Sequence, residues 1–144
     1  MTQIVTPYLL YEDVGAAIAW LEAAFGFREE LRYPEPDGRI SHAEVRLGDG
    51  AVMLGGPSGD YRNPLHCGCV TQMVVVSVDD ADAHYERARA AGAKILAAPA
   101  DQPYGDRAYR AEDLEGHHWS FHHPISTITP ITIDSTEIEN ENMK

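Results

Sequence analysis

The chain has 144 residues, 44% of them hydrophobic, and a formal net charge of -12. That length suits one unit burying roughly two thirds of its unfolded surface without disulfide staples, and there is no apolar run of roughly 18 residues to span a membrane. The acidic balance, with Lys94 and Lys144 the only lysines, argues against nucleic acid as a partner, since phosphate contacts rest on clusters of Lys and Arg.

The first element is a strand over residues 4–11, rich in apolar and β-favouring residues. Asp13 then stands as an N-cap before Val14, Ala17, Ile18, Leu21 and Phe25 at helical spacing, and Gly26 follows where a left-handed C-cap belongs. Strands are expected over 27–33 and 39–47, separated by the Pro34 to Gly38 turn, and a Gly48-Asp49-Gly50 turn leads into a strand over 51–54. Residues 57–69, rich in Gly and Pro, read as a linker. The same grammar then returns. A β-branched run over 73–78 is followed by Asp79-Asp80 capping a helix that ends near Ala91, and Gly92 leads into the next strand. Asp13 to Asp79, Gly26 to Gly92 and Gly50 to Gly116 are each displaced by 66 residues, so the chain is two copies of a βαβββ unit. Neither copy buries its sheet alone, and two curved half-sheets facing each other or a partner enclose a cavity.

Within the strands, period two sorts the side chains. His118, Ser120 and His122 fall on one face and Trp119, Phe121 and His123 on the other, which puts the aromatics under a helix and the histidines toward the cavity. In the same way His42, Glu44 and Arg46 oppose Ser41, Ala43, Val45 and Leu47. Displacement by 66 takes Glu44 to Arg110 and Arg46 to Glu112 with the signs exchanged. This allows either an internal network of ion pairs or a polar floor in which Arg46 or Arg110 holds a ligand carboxylate. Tyr104-Gly105-Asp106-Arg107 is either a clamp at the cavity mouth or a loop fixed by its own side chains. His66-Cys67-Gly68-Cys69 is too cramped for a zinc site, and these cysteines read as inert. No serine nucleophile elbow, phosphate loop or dinucleotide fingerprint is present.

Tyr8-Leu9-Leu10-Tyr11-Glu12-Asp13, Ala23-Ala24-Phe25-Gly26-Phe27, Asp37-Gly38-Arg39, Pro103 to Arg107 and Asp113-Leu114-Glu115-Gly116-His117-His118-Trp119 together resemble the vicinal oxygen chelate superfamily of glyoxalases, bleomycin-resistance proteins and dioxygenases. The resemblance covers residues 4–124. It implies an α+β fold of two tandem βαβββ modules, 4–56 and 70–124, forming a curved mixed sheet around a cavity with helices on the convex side. It places a single glyoxalase/bleomycin-resistance-like domain over 1–125, with 57–69 as the linker. An acidic tail over 126–144 lies outside it, as an extra edge strand around 128–133 or a disordered end.

In metal-dependent members of that superfamily, donors from the first and last strands of each module hold a divalent ion. On this chain those positions fall at Thr6, Leu54, Met73 and Ser120, which do not supply the three N or O donors such an ion needs. The resemblance therefore implies a metal-free, cofactor-free binding protein of the bleomycin-resistance kind, which sequesters or carries a partly aromatic metabolite or antibiotic. Its ligand-binding residues are expected to be Tyr8, His42, Arg46, Leu54, Met73, Arg110, His118 and Ser120, with no metal ligands and no assigned catalytic residue. A homodimer is expected, because such proteins commonly build each cavity from modules of different subunits and an open sheet edge favours pairing. The alternative is a lyase, isomerase or dioxygenase using a histidine general base or a relocated metal set such as His42, Glu44, His118 and His122. The amino terminus lacks the basic-then-apolar pattern of a secretory signal, so a soluble, cytoplasmic protein is expected.

Overall fold

The computed structural model describes residues 3–126, and the expectations for the tail from residue 127 onward lie outside them. The fold is α+β, with two mixed four-stranded sheets ordered β1-β4-β3-β2 and β5-β8-β7-β6. The first comprises β1 (Tyr8–Leu10), β2 (Arg28–Pro34), β3 (Ile40–Leu47) and β4 (Gly50–Gly55), and α1 (Val14–Phe25) follows β1. The second comprises β5 (Met73–Ser77), β6 (Lys94–Asp101), β7 (Asp106–Glu112) and β8 (His118–Pro124), and α3 (Ala81–Ala90) follows β5. In each sheet the first strand runs parallel to the last, and the remaining pairs are antiparallel. The curved sheet expected of two tandem modules is made of two half-sheets, with no ladder between them among the described residues.

Each helix begins as its sequence dictates. The Asp13 carboxylate accepts from Ala16 N, and Asp80, rather than Asp79, accepts from Asp82 N and Ala83 N. The linker carries a one-turn helix that composition alone does not reveal, α2 (Pro64–Cys67), with Asn63 as its N-cap and proline in its first turn. Cys67 and Cys69 are joined by a disulfide in this linker, where inert thiols are expected from the sequence.

Helices α1 and α3 pack beside each other on the same side of the molecule. Val14, Ala17, Ile18, Leu21, Ala24 and Phe25 of α1 are buried, against only Ala81 and Ala88 of α3. Beneath them lie Ala43, Val45, Val52 and Leu54 of the first sheet and Tyr109, Ala111, Trp119 and Phe121 of the second. Phe25 joins the halves, its ring centroid 5.4 Å from that of Trp119 and 4.7 Å from that of Phe121. His84 of α3 bridges them as well. Its Nε2 donates to Phe25 O at 2.8 Å and its Nδ1 accepts from the Tyr109 hydroxyl. Burial holds the His84 pKa below its ordinary value and raises that of Tyr109.

A buried polar lock ties the β7–β8 turn to the start of the chain. Asp113 accepts from the Tyr11 hydroxyl at 2.6 Å, from Trp119 Nε1 at 3.0 Å, and from the backbone N–H groups of Glu115 and His117. Glu115 accepts from Glu12 N, Asp13 N and Asn63 Nδ2. Burial, with the nearby Asp113 charge, pushes the Tyr11 hydroxyl well above its usual pKa. Gly116, at φ +94, is in the left-handed region, and a Cβ there would lie 2.9 Å from the Pro64 side chain. The motif 113–117 therefore holds the modules together, and His117 completes it with Nε2 at 2.7 Å from Leu10 O.

Candidate functional site

The pleat leaves one face of each sheet free of helices. On the first sheet, register places Tyr8 beside Met53, Met53 beside Glu44, Leu31 beside Glu44, and Tyr33 beside His42. Tyr8 and Tyr33 are 49% and 58% exposed, and both rings approach the His42 ring, at 5.6 and 5.8 Å. The Tyr8 hydroxyl lies 3.3 Å from His42 Nδ1. Gly55 makes this possible, because a Cβ there would sit 2.1 Å from the Tyr8 hydroxyl. Arg46, on the same face, pairs with Glu30 at 3.1 Å.

On the second sheet the open face carries Met73, Val75 and Ser77 beside His118, Ser120 and His122 respectively, with Glu112, Arg110 and Ala108 on the far side of those three. Met73 and Val75 are 50% and 59% exposed. His118 Nε2 lies 3.2 Å from Glu112, and His122 Nε2 lies 2.6 Å from Ser120 Oγ. The expected exchange of charges between the copies is not made within the chain. Arg46 turns to Glu30, and Glu112 turns to Lys94 and His118. Arg107 fixes its loop by pairing with both Asp82 and Asp101, and the two carboxylates hold its guanidinium charged.

The eight expected ligand residues thus separate. Tyr8, His42 and Arg46 share the open face of the first sheet, and Met73, Arg110, His118 and Ser120 that of the second. Leu54 does neither. It is fully buried with Ala43 and Leu9 under α1, which corrects its assignment to the ligand. The displacement of 66 holds through β3 and β7 but becomes 67 at the last strands, because the β7–β8 turn is longer. Met53 opposite Glu44, rather than Leu54, therefore corresponds to Ser120 opposite Arg110. Tyr33 and Met53 are site residues missed from sequence, although alternation outward from His42 points to both.

The corrected set of superfamily metal positions, Thr6, Met53, Met73 and Ser120, still lacks the donors for a divalent ion, and the Ser120 hydroxyl is engaged by His122. These residues do not fit a metal. The relocated set is divided between the sheets, and among the described residues no three His, Cys, Asp or Glu side chains are grouped to hold an ion. A cleft of about 720 Å³ joins the modules, with Tyr8, Leu10, Tyr61, Arg62, Val70 and Gln72 in its wall.

A family model described as Glyoxalase/Bleomycin resistance protein/Dioxygenase superfamily matches residues 3–121. The chain belongs to this superfamily. An uncharacterized protein of Mycobacterium bovis is 34% identical over 128 residues, 85% of this chain and 84% of the relative. The crystal structure of TioX from Micromonospora sp. ML1 superimposes with a TM-score of 0.70 at 38% identity, covering 88% of this chain and 100% of TioX. TnmS3, an antibiotic binding protein from Streptomyces sp. CB03234, shares the superfamily fold with a TM-score of 0.68 at 17% identity, covering 86% of this chain and 97% of TnmS3. Among the described residues no helix is long and apolar enough to cross a membrane.

Proposed function

We propose that this superfamily member is a metal-free binding protein that sequesters or carries a planar, partly aromatic small molecule. The observation that carries the reading is the exposure of Tyr8, Tyr33, Met73 and Val75 on the same sheet faces as His42, Arg46, Arg110 and His118. Large apolar side chains left open beside a few oriented polar groups are what an aromatic ligand needs for stacking and orientation. TnmS3, which shares the fold, is an antibiotic binding protein, and this supports a small-molecule ligand. Two open faces also favour a homodimer, in which the first module of one chain faces the second module of its partner.

The test is calorimetric titration with 2-naphthoate, a fused ring bearing a carboxylate, with and without EDTA. Saturable binding of equal strength under both conditions is expected. Tyr8→Ala, or Gly55→Ala which displaces the Tyr8 ring, should weaken it on the order of tenfold. Binding lost on chelation, or no binding to the wild-type chain, overturns the proposal.

A further inference from the structure

Ser120, His122 and Asp106 form a continuous hydrogen-bonded chain on the open face of the second sheet. Ser120 Oγ is 2.6 Å from His122 Nε2, and His122 Nδ1 is 3.3 Å from Asp106 Oδ2. Two of the three come from β8 at a spacing of two, so the pleat aims both at the same face. Asp106 opens β7 opposite Pro124, two residues beyond the pairing of Ala108 with His122. An ionised carboxylate only accepts, so Nδ1 carries the imidazole proton, and Nε2 is left as an acceptor for the Ser120 hydroxyl. The Ser120 residue is 4% exposed and the His122 side chain 14%, a partly dry setting that strengthens both contacts. Arg110 is a cross-strand neighbour of Ser120, and among the described residues it forms no ion pair. Of the two cross-strand neighbours of Ser120, Val75 has no polar group, so Arg110 is the one that carries donors for a developing negative charge, since strand N–H groups are committed to the ladder.

We propose that Ser120, His122 and Asp106 are a nucleophilic relay that cleaves activated aryl esters. Ser120 Oγ attacks the ester carbonyl carbon as its proton passes to His122 Nε2, and Asp106 holds the resulting imidazolium through Nδ1. The C–O bond to the aryloxide breaks, the aryloxide takes the proton from Nε2, and an acyl-Ser120 ester remains. Water attacks that ester, giving its proton to Nε2. The acyl–Oγ bond then breaks, Ser120 recovers the proton, and a carboxylic acid leaves. Asp106 is a positioning residue in this sequence, and Ser120 and His122 are catalytic residues.

The probe is 4-nitrophenyl acetate, read by release of 4-nitrophenolate and by peptide mapping of the acetylated chain. Acetyl on Ser120 is expected in the wild-type protein, and the acetylation rate should fall at least tenfold in His122→Gln. In Ser120→Ala the label should vanish, with melting curves recorded alongside. The titratable groups facing His122 are Asp106 from β7 and Tyr104, whose ring stacks at 6.1 Å. Ser77 and Ala108 flank it in register. In Asp106→Ala the acetylation rate should fall at least tenfold and Asp106→Glu should restore most of it, whereas a purely structural loss would not follow the carboxylate. Absence of acetyl from Ser120 in the wild-type chain, equal labelling in folded His122→Gln, or no recovery in folded Asp106→Glu overturns the relay. Binding of 2-naphthoate without Ser120 acetylation overturns the relay alone and leaves the binding reading standing.

Discussion

The two modules share a topology but fill their cores in opposite ways. In the first, α1 supplies the volume through Ile18, Leu21 and Phe25, and the strands beneath are small or aliphatic. In the second, α3 offers only buried alanines, and the volume stands on the strands as Tyr109, Trp119 and Phe121. Their open faces differ in the same complementary way. The first displays Tyr8, Tyr33, Leu31 and Met53, and the second displays two histidine–carboxylate pairs, Ser120 and Arg110. A repeated backbone fixes which positions face inward and outward, and leaves each copy free to divide bulk and polarity with the other.

The sharpest way to break that comparison is a paired deletion in the cores. Trp119 opposite Ala111 corresponds to Val52 opposite Val45. Trp119→Ala should cost about 3–5 kcal/mol and Val52→Ala about 2 kcal/mol or less in urea unfolding. Equal costs would show that the strands of both modules carry the core alike. Next in size is the contrast between hairpin turns. Asp113→Asn disturbs an acceptor serving four donors and should cost about 2–3 kcal/mol, whereas Asp49→Asn, in the exposed turn of the first module, should stay within about 0.5 kcal/mol. The smallest effect concerns the helix contact. The folded-state pKa of His84 is lowered from its ordinary 6.5 by burial, so the neutral ring is the stabilising form. Its contribution is complete above pH 6.5 and is lost as pH falls through the folded value. Thermal melts of wild-type and His84→Gln proteins should show the steeper acid decline in the wild type, and parallel declines would remove His84 from the pH response.

Much of this was legible because it is periodic. Alternation placed Trp119 and Phe121 under a helix and His118, Ser120 and His122 on the open face, and the Asp13 and Gly26 signals bounded α1 to the residue. What failed was a count. A fixed displacement absorbed the lengthening of the β7–β8 turn and put Leu54 where Met53 belongs. The polar lock through Asp113 and Glu115 was hidden for a different reason, since its partners Tyr11, Asn63 and Trp119 are spread along the chain and no local pattern unites them. Asp106 lies in a stretch whose sequence reads as a loop, and only the β7–β8 pairing brings it to His122.

Both ends of α1 are finished by the other module. Glu115 accepts from the N–H groups of Glu12 and Asp13 at the start of the helix, and Arg87 donates to Glu22 O and Ala23 O at its end, each with the sign that the helix dipole favours. During synthesis α1 leaves the ribosome first, while Arg87 follows Glu22 by 65 residues and Glu115 follows Glu12 by 103. The nascent first module therefore waits with an unfinished helix until the turn that carries Glu115 has been made.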